Sequence, residues 1–245
     1  MTEISKSEAI VLRKTNFSDS SLIVQLFTKE YGKMSAIIKG ARSAKSKIGS
    51  KIDLLNHTEV VFYKKDSRDV QLLTQANLIH HFPNIKEDLD KIKYASSVCE
   101  LLQKLIPENE PNDKIFRGVI KILTLMNKKE TDSELLFAKF LVFLITETGY
   151  EISFEHCSSC GEKIESNAGA AFSYSEGIIC ESCNTNKELT FEFSEELFNL
   201  FKCLTTKNNI DSYKKNNVSS IIFILEKFLE YHIPDFRGIK SLKIF

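Results

Sequence analysis

The sequence lacks the short motifs by which several large classes of enzyme are recognised. It has no glycine-rich phosphate loop of the form G-x4-G-K, no H-E-x-x-H zinc motif and no G-x-S-x-G nucleophile turn. Internal repeats and low-complexity segments are also absent, and 42% hydrophobic with 27% charged residues is an ordinary globular composition. We therefore expect a folded binding protein rather than an enzyme.

Hydrophobic segments that could enter a membrane are equally scarce. The longest apolar run, Leu135 to Ile145, is broken by Lys139 and is far shorter than the roughly 20 residues that a bilayer requires. Residues Met1 to Lys6 carry no apolar stretch of the secretory kind. These absences predict a cytoplasmic protein that binds no membrane.

A net charge is missing as well, because 33 lysines and arginines balance 33 aspartates and glutamates. This balance argues against a uniformly basic nucleic-acid binder. The average hides a split: residues 1–80 hold 13 basic against 8 acidic side chains, and residues 81–245 hold 20 against 25. A basic first part and an acidic body indicate a partner preference.

Four of the six cysteines follow a spacing that chance rarely produces. Cys157 and Cys160 form one pair and Cys180 and Cys183 a second, which gives C-x2-C-x19-C-x2-C. Two such pairs can close a tetrahedron of thiolates around Zn²⁺. Gly161 follows the second cysteine and can take the positive φ that turns the backbone towards the sulfurs. The spacing predicts one structural zinc ion per chain.

Two other interpretations of these cysteines are two disulfides or four unrelated buried thiols. Disulfides require an oxidising compartment, which the start of the chain does not indicate. A catalytic zinc would need an open coordination position, and four thiolates leave none unless His156 replaces one cysteine. The remaining thiols, Cys99 and Cys203, lie on apolar helical faces and are predicted to be core residues.

Residues 1–81 show the alternating period of β-strands. Five short apolar runs, separated by turn residues, are Glu8–Leu12, Leu22–Phe27, Met34–Ile38, Thr58–Tyr63 and Val70–Leu73. Five strands in so short a span favour a small closed barrel of the oligonucleotide/oligosaccharide-binding type (OB-fold), although an SH3-like barrel has the same pattern.

The segment between the third and fourth predicted strands carries only positive charges. It runs from Lys39 to Lys51 without an acidic residue, and its glycines and serines are expected to keep the backbone mobile. Such a segment suits a phosphate backbone, because each neutralised phosphate releases condensed counterions. We predict that this basic loop and two further arginines form the main nucleic-acid contact, through Arg13, Lys39, Arg42, Lys45, Lys47, Lys51 and Arg68.

Other interpretations of this region remain open. A charged loop is often only a solvated surface segment. Two aromatic residues in predicted turns, Phe17 and Tyr31, could stack on bases or could close the ends of the barrel.

After Pro83 the apolar period lengthens to that of α-helices. Helices are predicted over 89–106, over 115–126, from a capping box at Thr131 and Glu134 to Gly149, from Ser194 onwards, and over 218–232. The helix after Thr131 is apolar almost all round and should be buried. The predicted fold class is α+β: an N-terminal five-stranded OB-type β-barrel in residues 1–81, then an α-helical domain in 82–245 with an inserted four-cysteine zinc ribbon at about 153–190.

Short pieces of the sequence follow one another in a recognisable order along nearly the whole chain. They are LRK at 12–14, NFSD at 16–19, LFTKEYGK at 26–33, IKGAR at 38–42, KSK at 45–47, the two cysteine pairs and GIKS at 238–241. In this order they resemble the RecO family of bacterial recombination mediators. The chain departs from the family pattern at Asp53-Leu54-Leu55, where relatives tend to carry a proline and an aromatic residue, so the end of the basic loop is undefined.

The resemblance implies a protein that binds single- and double-stranded DNA and anneals complementary strands. It further implies that the protein works with a RecR-type mediator and a single-strand-binding protein to load the RecA recombinase, in the cytoplasm at the nucleoid. The acidic C-terminal tail of the single-strand-binding protein would need a local pocket that is both basic and apolar, for which Arg237, Lys240 and Lys243 are candidates.

Two functions of other classes fit parts of the sequence. One is a metal-dependent hydrolase that uses His156 and neighbouring carboxylates, and the other is an RNA- or ribosome-binding zinc-ribbon module. Metal-dependent cleavage of nucleotides would favour the first, and tighter binding to structured RNA than to single-stranded DNA would favour the second.

Overall fold

The alternating residues of the N-terminal part form five strands. They are β1 (Glu3–Phe17), β2 (Ser21–Thr28), β3 (Gly32–Ile38), β4 (His57–Lys64) and β5 (Val70–His80). The strands close into a barrel in the order β1-β2-β3-β5-β4, in which β3 is parallel to β5 and the other neighbours are antiparallel. The five-stranded barrel predicted from the period of two is confirmed, and its long β1 pairs with both β2 and β4.

The computed structural model describes residues 3–150, 152–164, 169–206 and 212–244. The chain divides into two compact units, residues 1–131 with 240–245 and residues 132–239. Three helices therefore share the first unit with the barrel, namely α1 (Pro83–Lys86), α2 (Leu89–Leu105) and α3 (Asp113–Met126). The domain boundary at residue 81 stays a prediction, and the predicted ribbon includes residues 165–168, which lie outside the described residues.

The second unit combines helices with a small sheet. Its elements are α4 (Ser133–Glu147), β6 (Ala171–Ser173), β7 (Gly177–Ile179), β8 (Thr190–Glu192), α5 (Glu195–Thr205) and α6 (Lys215–His232). Five side chains of α4 are completely buried, which confirms its central position: Phe137, Ala138, Leu141, Leu144 and Ile145. In the described parts of the chain, no helix combines the length and the apolar character needed to cross a membrane.

The predicted start of α4 was wrong by one residue. Asp132, not Thr131, is the N-cap: its backbone is extended, and its carboxylate accepts a hydrogen bond from the Leu135 amide at 3.0 Å. The Thr131 hydroxyl instead donates to the carbonyls of Met126, the last residue of α3, and of Lys128. Aspartate and threonine are both good caps, so the residue types alone do not decide which of the two positions begins the helix.

A segment that follows α2 lies against the edge of β3. Glu108 bridges to Lys33, and the Asn109 amide donates to the Lys33 carbonyl at 2.8 Å. The Lys33 side chain is only 8% exposed; its Nζ donates to the Gln103 carbonyl at 2.7 Å and lies 3.5 Å from the Glu108 carboxylate. These contacts attach the end of α2 to the barrel.

Gly32 is required for this attachment, and its substitution gives a direct test. Its φ is +68°, and an added Cβ would lie 2.3 Å from the Glu110 carbonyl oxygen. Gly40 has a similar φ of +66° with nothing within 4 Å of the added atom. Each alanine variant should lose about 1–2 kcal/mol from the left-handed backbone, and Gly32→Ala should lose more because of the clash.

Thermal denaturation of the two variants measures the difference. Equal melting temperatures for Gly32→Ala and Gly40→Ala would show that the segment at Glu110 does not need close contact with β3.

Candidate metal centre and nucleic-acid interface

The four cysteines of the C-x2-C pairs come together in the second unit. The sulfur atoms of Cys157, Cys160, Cys180 and Cys183 all lie within 4.8 Å of one another, and Cys160 Sγ is 3.8 Å from Cys180 Sγ. Sulfurs bound at about 2.3 Å around a tetrahedral ion are about 3.8 Å apart. The four thiols could therefore hold one metal ion. Among the described residues the cluster contains only these cysteines, and His156 is not part of it.

Backbone geometry prepares Cys157 as a ligand. Gly161 has the predicted positive φ, 77°, and its amide donates to the Cys157 carbonyl at 2.9 Å. Burial by itself favours the neutral thiol of Cys157. However, the N–H groups of Cys160, Cys180 and Ser159 point at its sulfur, and its pKa falls to about 6. The sulfur is thus stabilised as a thiolate.

The other thiols cannot all ionise beside that thiolate. An N–H group of Glu162 lowers the pKa of Cys160, but the neighbouring sulfurs of Cys157, Cys183 and Cys180 outweigh it and raise the pKa to about 12. Four negative charges at these distances need a cation among them. The chemistry of the donor set therefore fits a bound metal.

Aromatic packing joins the cysteine-bearing segment to the helices of the same unit. The predicted hairpin is confirmed as β6 and β7. The strand β8, which the sequence pattern did not predict, pairs with β6 on its other side. Phe172 of β6 is completely buried and lies 5.8 Å from Phe201 of α5 and 5.7 Å from Phe228 of α6, between ring centroids. Loss of the metal would therefore disturb the core of the unit as well as the ribbon.

The basic loop is held in place, contrary to the expectation of a mobile segment. Ala41 and Ile52 are buried in the barrel core, and Ile48 packs against it. The Ile52 amide donates to the Ile48 carbonyl at 3.2 Å, and an added Cβ on Gly49 would lie 2.1 Å from the Ala41 carbonyl oxygen. Apolar residues between the charges anchor the loop. The same residues could have predicted an ordered loop, but its glycines and serines indicated a mobile one. Leu55 is also buried, with a φ of 67°, so the loop ends where β4 begins.

The charged side chains of the loop point outwards. Lys39, Arg42, Lys45 and Lys47 are exposed, and Lys51 is half-buried. Arg42 ties the loop to the β1–β2 turn: its amide donates to the Ser20 carbonyl at 2.9 Å and its guanidinium to the Ser18 carbonyl at 3.1 Å. Lys51 Nζ contacts Asn77 at 3.4 Å. The loop thus presents its cations from a fixed base.

The two predicted arginines outside the loop lie on the strands. Arg13 is exposed and lies on β1. Paired residues form a row across the barrel from Arg13 through Gln25 of β2 and Ser35 of β3 to Val70 of β5. Arg68 lies in the turn just before Val70. The two arginines therefore belong to the ends of one row, about 14 Å long across four strands. They do not join the loop itself.

The row between the arginines is partly occupied. Gln25 Nε2 lies 3.2 Å from the carboxylate of Glu108, in the segment that attaches to β3. The β2–β3 face, which binds ligands in many OB-folds, is covered there by the chain itself. The two arginines at the ends of the row stay exposed.

Tyr31 and Phe17 have different environments. Tyr31 packs edge-on against the buried Phe62 at 5.3 Å between ring centroids, and so closes one end of the barrel core. Phe17 ends β1 and is 48% exposed.

The three candidates for a partner pocket fall in different units. Arg237 is in the second unit and donates to the carbonyls of Pro234 and Phe236. Lys240 and Lys243 are in the first unit, in a helical turn whose amides at Lys240 and Ser241 donate to the Glu100 carboxylate at 2.9 and 2.7 Å. Glu100 therefore fixes this turn, across a sequence distance that no local pattern reveals.

The surroundings of Glu100 stabilise its side chain as an ionised carboxylate. Partial burial would raise the pKa of Glu100, but Lys104 at 2.7 Å and the two backbone amides outweigh burial and hold the pKa below its ordinary value. The carboxylate is thus charged at neutral pH.

Charge divides more sharply between the compact units than along the sequence. The first unit holds 24 basic against 16 acidic side chains, and the second holds 9 against 17. The predicted acidic body therefore begins at residue 132, since residues 81–131 are nearly balanced.

Comparison with known families agrees with the arrangement of barrel, helices and cysteine cluster. The family model described as "Recombination protein O N terminal" matches residues 1–82, and the one described as "Recombination protein O C terminal" matches residues 86–243. The chain belongs to the RecO family of DNA repair proteins.

Relatives within the RecO family are similar over different lengths. A "DNA repair protein RecO" of Chlorobium limicola is 33% identical over 67% of this chain and 63% of its own length. The RecO protein of Clostridium novyi is 28% identical over 99% of this chain and 93% of its own length. The RecO protein of Listeria monocytogenes is 29% identical over 80% of this chain and 75% of its own length. The match with the Clostridium relative covers both units.

The cysteine cluster can be tested by metal analysis. Protein purified under reducing conditions should carry about one metal ion per chain. Cys180→Ser should lose most of it and melt at a lower temperature, because metal binding contributes to folding. Cys203→Ser is the matched control, since its half-buried thiol on α5 lies outside the cluster. An unchanged metal content in Cys180→Ser would contradict the assignment.

Proposed function

We propose that this protein is a DNA-binding recombinational repair factor. It binds and anneals single strands and helps to load a recombinase onto DNA coated with single-strand-binding protein. The observation that carries the proposal is an acid-free loop with four exposed cations, anchored at the end of an OB-type barrel. The name "DNA repair protein RecO" of its relatives supports the same assignment.

The loop is suited to hold a strand without reading it. Lys39, Arg42, Lys45 and Lys47 can each neutralise a phosphate, and such contacts position a strand but carry no sequence information. Bases that are not contacted stay available for pairing with a complementary strand. Annealing therefore follows from contacts that are restricted to the backbone.

We infer that the metal is a single structural Zn²⁺ held by Cys157, Cys160, Cys180 and Cys183. Four thiolates at tetrahedral spacing suit zinc and leave no open position for a substrate. This donor set argues against the metal-dependent hydrolase and favours a protein that acts by binding. Zinc would keep the ribbon packed against Phe201 and Phe228.

The partners follow from the same proposal. A RecR-type mediator and the acidic tail of a single-strand-binding protein would dock directly, and RecA would be served indirectly, in the cytoplasm at the nucleoid. The second unit, with 9 basic and 17 acidic side chains, would not compete for DNA and is free to hold proteins.

Changing Lys39, Arg42, Lys45 and Lys47 together to Ala tests the proposed DNA contact. The slope of log affinity for single-stranded DNA against log salt should flatten by roughly three, at about 0.7 per contact. Sequence preference and melting temperature should barely change, because exposed loop charges contribute little to stability and the bond from the Arg42 guanidinium to the Ser18 carbonyl is itself exposed.

A matched loss of four exposed lysines from the second unit, at positions 187, 202, 214 and 215, is the control. Its slope should equal that of the unaltered protein. An unaltered slope in the loop variant would place the binding surface elsewhere, and tighter binding to structured RNA than to single-stranded DNA would favour the RNA-binding alternative.

Single substitutions can test the candidates for the partner pocket. Deletion of the C-terminal residues is unsuitable, because Phe236 and Ile239 are buried. Arg237→Gln, Lys240→Gln and Lys243→Gln should each weaken binding of an acidic tail peptide severalfold while the melting temperature stays constant. Calorimetry measures the affinity; three unchanged values would exclude these residues from the pocket.

A further inference from the structure

Helix α3 has one apolar face, which is buried within the first unit. Its buried residues are Ile115, Phe116, Val119, Ile122, Leu123 and Met126. Phe116 lies 5.9 Å from Phe27 of β2 and 6.1 Å from His57 of β4, between ring centroids. The orientation of the helix on the barrel is therefore settled by contacts.

The opposite face of α3 is basic. Lys114, Arg117 and Lys121 are exposed and lie within about 60° of one another around the helix axis. Asp113, the one acid of the helix, pairs with Arg117 at 2.8 Å. Among the described residues none pairs with Lys121. The charge count of residues 81–245 did not reveal this basic face, because it combined α3 with the acidic residues beyond 131.

The end of α3 continues the charge. Lys128 and Lys129 follow the helix and are exposed. The buried Lys91 donates to both of their carbonyls, at 2.6 and 3.0 Å, and Asn84 bonds twice to Asn127. The backbone that carries these two exposed lysines is thus held in place beside the buried Lys91. Glu130, the next residue, is also exposed, so this end of the helix still adds more positive than negative charge to the face.

The α3 face is separate from the basic loop. The loop is tied by Arg42 to the turn next to Ser21, whereas α3 packs on Phe27. These two residues of β2 are about 20 Å apart along the strand. The loop cations near Arg42 are therefore far from α3, although the loop ends at β4, whose His57 lies against Phe116.

We propose that the outer face of α3 is a second contact surface for the phosphate backbone of DNA, so that one chain holds two strands at once. The proposal rests on the proposed function and gives annealing a physical basis: one strand lies on the loop and the other on α3. Both are held by the backbone, which leaves their bases free to pair.

An acidic peptide is the other anionic partner that charge alone would allow. Peptides that dock on helices use apolar anchors in addition to charge. None of the large hydrophobic residues that are exposed among the described ones belongs to α3. A phosphate backbone needs no apolar anchor, so the surface fits DNA better.

Counting short strands on the intact protein tests the proposal. Oligonucleotides of roughly ten nucleotides fit a single site, and native mass spectrometry at low salt should find two per chain. The variant Lys114→Gln, Arg117→Gln, Lys121→Gln should bind one, as should the loop variant. The α3 variant should also anneal complementary strands at least tenfold more slowly than the unaltered protein.

The control variant Lys163→Gln, Lys187→Gln, Lys202→Gln removes the same charge from the second unit. It should still bind two oligonucleotides per chain. If the α3 variant binds as many oligonucleotides per chain as the unaltered protein, whether one or two, the inference is overturned and the proposed function stands. Loss of binding to an oligoglutamate peptide without loss of DNA also overturns it, in favour of a protein partner. A protein that binds no DNA at all ends both proposals.

Discussion

Coulomb attraction between fixed cations and an anionic polymer is the interaction on which the proposed activity depends. The first unit carries 24 basic and 16 acidic side chains and the second 9 and 17, although the whole chain is neutral. A neutral protein can thus hold DNA on one part while another part repels it. The sign of each unit, rather than any motif, separates the surface proposed for DNA from the one proposed for proteins.

Attraction of this kind gives tighter binding when the cations are already in position. Ala41 and Ile52 anchor the basic loop in the barrel core, and Lys91 and Asn84 hold the end of α3. Less conformational entropy is lost on binding when the backbone is ordered beforehand. In the second unit the cysteine cluster plays a comparable part, because a metal there would hold the ribbon against an aromatic core.

Local patterns predicted the features that depend on neighbours in the sequence. The period of two located the five strands, and the C-x2-C spacing with Gly161 located the cysteine cluster. Features that depend on distant contacts were not predictable in this way. The role of Gly32 depends on Glu110, the turn at Lys240 on Glu100, and the rigidity of the basic loop on the barrel interior. β8 was missed because three residues are too short to show a period.

We propose that the protein binds DNA through the phosphates and not through the bases. The most direct test compares a single-stranded oligonucleotide with the same sequence built on an uncharged methylphosphonate backbone, at one salt concentration. We expect removal of the phosphate charge to lower the affinity at least tenfold, because that charge supplies most of the binding energy. A scrambled sequence with ordinary phosphates should bind as before. Equal affinity for the charged and uncharged backbones would contradict this proposal.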